Sequence, residues 1–293
     1  MAIKTARQNS NLLSSSEEEE ISQPLYAAPA LDKGLDILEL LSKQQHALTR
    51  RDIAERLGRS VSEIFRMIDC LTRRSYLVQT DDSFVLGMKL FELAHEFPPM
   101  NRLLKEALPR MEALAKTVDQ SCHLTVLSGS RQLAVAQVDT PGGVGFSIKI
   151  GATIDLLKSA SGRVLLAFRE EEEAHRLISL AGPELSEAEQ KAFMKTLMKV
   201  ATQGFAFMKS KQFSGSEAIS YPILDLRGHA VAALTVPYVK RLDDMTQKPA
   251  SAAQAALAEV AGDLNVALGG AVSSIAGDTR ATKLAAKRRP TQR

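Results

Sequence analysis

The chain of 293 residues has little cysteine, no long apolar run and little net charge. Its two cysteines, Cys70 and Cys122, lie far apart in no metal-ligand spacing, which argues against a disulfide scaffold or a zinc site and fits a reducing compartment. There is no run of about 18 apolar residues to span a membrane, and the N-terminus lacks the apolar core of a signal peptide. These absences predict a cytoplasmic protein, and nothing in the sequence implies a cofactor.

The net charge is only +3, so a nucleic-acid site must come from the local placement of basic residues. Hydrophobic content of 45% and charged content of 24% are those of a soluble globular protein, and the length allows two ordinary domains and a tail. Basic residues concentrate in the stretch 50–74, which holds seven Lys or Arg against four Asp or Glu. A nucleic-acid site is therefore expected there.

That basic stretch has the pattern of two short helices joined by a tight turn. Thr49 with Asp52 forms an acidic capping box, and Ser60 with Glu63 forms a second one. Gly58 lies between them, where a left-handed helix stop favours a residue without a Cβ. Apolar residues at spacings of three and four predict the buried face of the second helix: Val61, Ile64, Met67, Ile68 and Leu71.

The other face of the second helix is suited to DNA. A helix–turn–helix inserts this helix into the major groove with its N-terminal residues leading. Arginine binds guanine edges or phosphates, hydroxyls bind either, and a phenyl ring contacts a thymine methyl. Asp69 would be repelled by phosphate, so the groove contact is expected to end at about Arg66. The predicted DNA-contacting residues are Arg50, Arg59, Ser60, Ser62, Phe65, Arg66 and Arg73. An ordinary helical hairpin with a solvated charged face is the alternative.

Flanking segments extend this motif to a winged helix–turn–helix. Four leucines mark a preceding helix: Leu31, Leu35, Leu38 and Leu41. Two short strands, 76–79 and 84–86, are predicted after the second helix. The segment between Leu77 and Gly87 contains no Lys or Arg, which argues against a wing that grips phosphate.

The remainder of the chain predicts a linker and an α+β domain. Helices 88–95 and 101–118 are separated by Phe97-Pro98-Pro99, which breaks helical structure. Predicted strands are 123–127, 132–138, 144–150, 205–209, 218–224 and 230–238, and predicted helices are 161–169, 170–180, 186–202 and 251–268. An antiparallel sheet with flanking helices is a common way to hold a small ligand. The expected division is a disordered tail 1–28, a DNA-binding domain 29–87, linker helices 88–118, a ligand domain 119–270 and a basic tail 271–293.

Over about residues 28–270 the chain resembles the IclR family of bacterial transcriptional regulators. The resemblance rests on LDKGLDILELL (31–41), the second helix with Ser62 and Arg66, KIGATIDLLKSASGRVLLAF (149–168) and GFAFMKSKQFSGSEAISYPILDLRGHAVAALTVPY (204–238). It implies a C-terminal GAF-like domain that binds small metabolites, often organic, aromatic or sugar acids. It also implies homodimers or tetramers, paired through the DNA-binding domains and linker helices.

The resemblance places an effector site at the loop 155–163, where the family usually has Pro-Leu-His-Ala-Thr-Ala-x-Gly-Lys. Ser159 keeps the hydroxyl of that pattern. Ala160 and Gly162 keep the small residues that let backbone N–H groups face a carboxylate. Leu157 stands where the family has its histidine, so a site that depends on imidazole at this position is not expected here.

On the second wall of that site the chain departs from the family. Met208 and Lys209 replace acidic residues and Ala218 replaces a cysteine, so a metal or thiol role is not transferred. Positive charge from Lys158, Lys209 and Lys211 would suit an anionic effector, although these lysines could equally be solvated. The predicted effector-contacting residues are Leu157, Ser159, Ala160, Ser161, Gly162, Gln212, Gly215 and Ser220.

An enzyme is the first alternative. Cys122 and His123 adjoin, but neighbours on a strand point to opposite faces and cannot pair by adjacency, so Cys122 is expected in the core and His123 at the surface. No nucleophile elbow surrounds Ser159 or Ser161. The chain is therefore not predicted to be an enzyme.

The predicted function is that of a DNA-binding regulator of a catabolic operon, controlled by a small anionic metabolite. Its partners would be double-stranded operator DNA, an organic, sugar or aromatic acid, and a second copy of the chain. The resemblance favours a repressor over an activator. The alternative is a ligand-independent DNA-binding protein whose second domain serves only oligomerisation.

Overall fold

The computed structural model describes residues 28–142, 145–209, 216–241 and 247–270. The chain divides into two compact units, of which the first ends at Ala94 and the second starts at His95. Among the helices of these residues, none combines the length and apolarity that a membrane crossing needs. The expected tails, apart from Ala28, and the effector candidates Gln212 and Gly215 lie outside the described residues.

The first unit is a winged helix–turn–helix, as predicted. Its elements are α1 Pro29–Ser42, β1 Leu48–Thr49, α2 Arg50–Arg56, α3 Val61–Arg73, β2 Leu77–Thr80 and β3 Ser83–Leu86. The strands form an antiparallel sheet in the order β1-β3-β2. A further helix, α4 Lys89–Glu96, contains the boundary between the units.

The core of the first unit gathers one apolar face from each helix. Ile37 of α1, Ile53 of α2, Ile64 and Ile68 of α3 and Phe84 of β3 are fully buried. The expectation that Val61 is buried is wrong, because 41% of this residue is exposed. It occupies the first position of α3, one turn before Ile64, which is the first residue of that helix in the core.

The second unit is α+β, as predicted. Its elements are α5 Pro98–Val118, β4 Cys122–Ser128, β5 Arg131–Val138, β6 Thr153–Ile154, α6 Ala160–Ala167, α7 Glu171–Ala181, α8 Glu187–Gln203, β7 Ala206–Lys209, β8 Ser216–Leu224, β9 Ala230–Val239 and α9 Ala250–Leu268. One antiparallel sheet holds the strands in the order β6-β5-β4-β9-β8-β7.

Both faces of this sheet are covered. Leu124 of β4, Tyr221 of β8 and Leu234 of β9 pack in one apolar cluster with α5 and α9. Ala206 of β7 and Ala233 of β9 belong to a second cluster with α6, α7 and α8. Because strand residues alternate between faces, each central strand buries almost every side chain.

Two sequence expectations in this unit fail. α5 begins at Pro98 instead of after the prolines, because proline is tolerated in the first turn, where its missing N–H would have no helical partner. The predicted strand 144–150 is wrong for the described part, 145–150, which is irregular. The edge of β5 at Ala134 already exchanges hydrogen bonds with Gly151 and Ala152. Gly151 takes φ +84° and Ala152 N–H donates to the Lys149 carbonyl at 3.0 Å, so the chain turns just before this pairing.

Candidate DNA-reading surface and effector site

Both capping boxes expected from the sequence form at the helix–turn–helix. Asp52 N–H donates to Thr49 Oγ1 at 3.2 Å, and Thr49 N–H donates to Asp52 Oδ2 at 3.0 Å. In the second box, Ser60 N–H donates to Glu63 Oε2 at 2.9 Å. Hydrogen bonds from the Ser60 backbone and hydroxyl, together with Lys33, lower the pKa of Glu63 to about 2. Gly58 takes φ +63° between the helices, the left-handed conformation that glycine tolerates best.

Ion pairs from α1 orient the leading end of α3. Lys33 Nζ lies 3.1 Å from Glu63 Oε1, and Arg59 Nη2 donates to Asp36 Oδ2 at 2.6 Å. Arg59 and Ser60 were both expected to contact DNA, but each has a partner within the unit, since the Ser60 hydroxyl donates to Glu63 at 2.8 Å. Both side chains thus have partners at the start of α3, and their contact with DNA stays a prediction.

The outward face of α3 carries the remaining candidates. Ser62, Phe65, Arg66 and Arg73 are exposed, and half of the Phe65 surface is accessible. Within the described part of the chain, Arg66 and Arg73 make no hydrogen bond or ion pair. Their guanidinium groups are therefore available to phosphates or base edges. Asp69 is also exposed on this helix.

Arg50 is held beside the same face by aromatic rings. Its guanidinium lies 5.3 Å from the ring centroid of Phe65 and 4.9 Å from that of Phe84. Such cation–π contacts are worth about 0.5–1 kcal/mol each at exposed sites. Asp82, at the tip of the wing, lies 3.9 Å from Arg50 and offsets part of its charge. The acidic wing tip thus contacts a cation of its own unit, in line with the absence of basic residues in the wing.

The candidate effector loop is built around the cap of α6. Ser159 Oγ accepts a hydrogen bond from Gly162 N–H at 3.1 Å and donates one to the Asp155 carbonyl at 2.7 Å. Gln132 Nε2 also donates to Ser159 Oγ, at 2.5 Å. The Ser159 hydroxyl is therefore fully used in holding the loop. Leu157 packs against the apolar cluster of α6, α7 and α8.

Gly162 and its neighbours bring backbone donors to the start of α6. A Cβ on Gly162 would lie 1.9 Å from the Leu156 carbonyl oxygen, so the loop packs directly on the helix backbone there. Ala160 and Ser161 are each only 2% exposed. Their N–H groups donate no hydrogen bond to any described residue. Burial of Arg163 lowers the pKa of its guanidinium, and its Nε has no partner among those residues.

A row of buried polar side chains lies on the sheet face that α6 covers; we call it the polar row. It consists of His123, Thr125, Gln132, Ser220 and Thr235. The strand register aligns His123 with Thr235 and Thr235 with Ser220, and the last two hydroxyls lie 2.8 Å apart. Three buried atoms of the row have no hydrogen-bond partner among the described residues: His123 Nδ1, Thr125 Oγ1 and Gln132 Oε1.

The sequence analysis singled out Ser220 of this row and missed the other four. Its expectation that His123 is a surface residue is wrong: the residue is 4% exposed, and burial lowers its pKa to about 4. The alternation of His123 and Thr125 on one strand face was visible in the sequence, but it is equally typical of a solvated face. Cys122 is buried as expected, and burial raises the pKa of its thiol to about 12.

Two of the three lysines expected near the effector are described, and neither of them faces the polar row. Lys158 is exposed and lies 3.6 Å from Asp155. Lys209 pairs with Glu217 across β7 and β8, so it lies on the sheet face opposite to Ala206 and Ser220. Lys211 is outside the described residues. Among the described residues there is no group of three His, Cys, Asp or Glu that could hold a metal ion.

Two family models match the chain. The model for the C-terminal domain of the bacterial transcriptional regulator IclR covers residues 100–265, and the IclR helix-turn-helix model covers residues 30–81. Together they span both structural units.

Curated relatives and solved structures agree with these models. The HTH-type transcriptional regulator XynR of Escherichia coli strain K12 is 24% identical over 223 residues, covering 73% of this chain and 88% of that protein. The HTH-type transcriptional repressor AllR of the same strain is 24% identical, with 71% and 79% covered. An IclR homolog from Microbacterium hydrocarbonoxydans, complexed with 4-hydroxybenzoate, matches with a TM-score of 0.66 at 23% identity, covering 82% of this chain and 98% of that chain. At that identity the structural likeness shows the fold alone.

Proposed function

Because the chain belongs to the IclR family of bacterial transcriptional regulators, we propose that it represses a catabolic operon and releases its operator when a small organic acid binds. The matching models and curated relatives are regulators of transcription and not enzymes. A repressor is favoured because the relative AllR is named as one. Such a protein works in the cytoplasm, where the chromosome is.

The outward face of α3 is the observation that supports the first part of the proposal, binding to operator DNA. Arg66 and Arg73 are exposed there without a hydrogen bond or ion pair to any residue that the structure describes, while two capping boxes and two ion pairs fix the start of the helix. Side chains on a rigid element lose little entropy when they bind. Arg66 is the residue assigned to base or phosphate contact near the leading end, and Arg73 to phosphate at the other end.

The second part of the proposal, binding of a small organic acid, rests on the α6 N-terminus and the polar row. Buried polar atoms are normally hydrogen-bonded, so atoms on one covered face that have no partner among the described residues favour a site that a polar ligand completes. The 4-hydroxybenzoate complex of a protein with the same fold adds support for an acid as ligand. Binding would stabilise one arrangement of the protein over another, with a coupling free energy of typically about 1–3 kcal/mol.

A homodimer, or a tetramer built from dimers, is part of the proposal. Leu31 and Leu35 of α1 and Phe91 of α4 are large apolar residues that this single chain leaves exposed. Large exposed apolar residues can mark interaction sites when they form a patch, so these residues are candidates for a dimer interface. A two-fold dimer would place two copies of α3 on the half-sites of a palindromic operator.

The deciding experiment is selection of double-stranded DNA from a random pool by the full-length protein, followed by gel-shift titration with and without acids. A selected sequence with two-fold symmetric half-sites, released by at least one acid, is the expected result. If the protein selects no particular DNA sequence, the proposal that it binds an operator is overturned. If every acid leaves DNA binding unchanged while dimers or tetramers persist, the protein does not respond to an acid. The alternative, a second domain that serves only oligomerisation, is then favoured.

A further inference from the structure

We propose that the effector is a 2-hydroxy carboxylic acid, with its carboxylate on the N–H groups of Ala160 and Ser161 and its 2-hydroxyl donating to Gln132 Oε1. The proposal rests on the effector site argued above and narrows its ligand from organic acids in general. Further hydroxyls along the ligand would meet Thr125 and His123.

Gln132 defines the hydroxyl position because its amide is fixed. The residue is fully buried, and its Nε2 donates to the Asp155 carbonyl at 2.9 Å and to Ser159 Oγ at 2.5 Å. Both N–H bonds of the amide are thereby used, so the orientation of the group is set. Its Oε1 has no donor among the described residues, and a buried acceptor left in that state destabilises the fold.

The position of that oxygen relative to α6 follows from the same contacts. The nitrogen and oxygen of one amide are about 2.2 Å apart. Because Nε2 lies 2.5 Å from the oxygen that caps α6, Oε1 lies within about 5 Å of the cap. The unpartnered acceptor and the helix N-terminus therefore belong to one site.

The helix supplies the complementary donors. The N–H groups of Ala160 and Ser161 point out of the first turn of α6, in residues that are almost entirely buried. The positive end of the helix dipole stabilises an anion at this place. These groups suit a carboxylate of the ligand.

A plain carboxylate would leave Gln132 unsatisfied. Oε1 can only accept a hydrogen bond, and a carboxylate oxygen against it would be repelled. The ligand must therefore carry a hydrogen-bond donor close to its carboxylate, and a hydroxyl on the adjacent carbon is the nearest neutral one.

The rest of the polar row extends this chemistry away from α6. Gln132 pairs with Leu127 of β4, and His123 lies four residues before Leu127 on that strand, which is about 13 Å of strand. Thr125 Oγ1 and His123 Nδ1 face this span without partners among the described residues. The row is uncharged, because burial keeps His123 neutral, so additional hydroxyls fit it and a second carboxylate does not.

The test compares acids that differ only in the 2-hydroxyl, titrated calorimetrically into the full-length protein. Matched pairs are glycolate and acetate, lactate and propionate, gluconate and 2-deoxygluconate, and mandelate and phenylacetate. In at least one pair the hydroxylated member should bind about ten- to a hundred-fold more tightly, as expected for a buried hydrogen bond. Equal affinities within every pair, or no binding by any member up to about 10 mM, would overturn the proposal.

A variant of Gln132 tests whether this residue causes the preference for the 2-hydroxyl. Gln132→Met removes the acceptor and keeps the chain length, so the two members of a discriminated pair should bind equally. Gln190→Met is the matched control, since that glutamine holds the Leu185 carbonyl at 3.1 Å and accepts from the Ser179 hydroxyl at 3.2 Å, and its loss should leave the preference intact. If Gln132→Met does not fold, the matched pairs on the unaltered protein still decide.

Failure of this inference and failure of the proposed function are separable. Sequence-specific DNA binding released by acids without regard to the 2-hydroxyl would refute the inference and keep the function. Tight binding of 2-hydroxy acids by a protein without any preference among DNA sequences would support the inference and refute the proposed function.

Discussion

The guanidinium of Arg59 reaches Asp36 at 2.6 Å and ties the turn before α3 to α1. The two residues are 23 positions apart in the chain. An arginine at the leading end of a reading helix would be expected to face DNA, but this one already has a carboxylate partner. We therefore expect Arg59 to act in recognition by holding α3 in place.

Substitutions of this pair test that role. Arg59→Ala and Asp36→Ala should weaken operator binding by similar amounts, and the double variant should be no weaker than either single one. The side chains are 30% and 41% exposed, so the pair should contribute at most about 1 kcal/mol to the free energy of unfolding. Gel-shift titrations and thermal unfolding of the three variants measure both effects. A loss for Arg59→Ala much greater than for Asp36→Ala would mean that Arg59 contacts DNA directly.

Arg66 is expected to contact the operator. Arg66→Ala should lower operator affinity by about 1–3 kcal/mol if the side chain binds a base, and relax the preference at one position of each half-site. Arg176→Ala, an exposed arginine on α7, serves as control and should leave binding unchanged. Unaltered affinity of the Arg66 variant for the selected operator would refute the proposed docking of α3.

Two glycines in helices should respond in opposite ways to alanine. Gly162→Ala places a Cβ 1.9 Å from the Leu156 carbonyl oxygen, so the loop or α6 must shift, at a cost of about 1–3 kcal/mol in stability. Gly262→Ala, on α9, meets nothing within 4 Å and should stabilise the protein by up to about 1 kcal/mol. In thermal unfolding, the melting temperature of Gly162→Ala should lie below that of the parent, and that of Gly262→Ala should lie above it. A Gly162→Ala protein as stable as the parent would show that the contact relaxes freely.

His123 should make stability depend on pH between 6.5 and about 4. Burial lowers the pKa of the folded imidazole from 6.5 to about 4. Above pH 6.5 the ring is neutral in both states and contributes nothing. As the pH falls through this range, the unfolded chain takes up a proton that the folded protein excludes, so the free energy of unfolding falls by up to about 3 kcal/mol.

The comparison that isolates this effect is His123→Gln. The variant should lose less stability than the parent when the pH is lowered from about 7 to about 4.5, measured as the shift in melting temperature. Carboxylates with lowered pKa, such as Glu63, are common to both proteins and cancel in the difference. If the melting temperatures of the two proteins fall by the same amount between these pH values, the claim that His123 is buried and neutral is contradicted.

Local patterns in the sequence were sufficient for most of the elements and for both capping boxes. Ser60 and Glu63 lie three residues apart, so the helix itself brings them together, and the contact can be predicted without a tertiary structure. The two compact units and the antiparallel sheet follow from the order of such elements, and the family models match the same order. The outward residues of α3 were also predicted from periodicity, although their contact with DNA stays a prediction.

Contacts between residues distant in sequence were decided by the tertiary structure alone. His123 is buried because helices cover both faces of its sheet, and strand alternation cannot tell a covered polar face from a solvated one. Residues 145–150 alternate like a strand, but they are irregular, and the backbone hydrogen bonds with Ala134 of β5 are made by Gly151 and Ala152. Ser159 was identified as a site residue from the family resemblance, but its hydroxyl also accepts a hydrogen bond from Gln132, 27 residues earlier, which only the fold brings to it. The sequence thus determined most of the helices and strands and their order, since those depend on neighbours two to four residues away. Which polar atoms remain without a partner depended on packing between elements far apart in the chain.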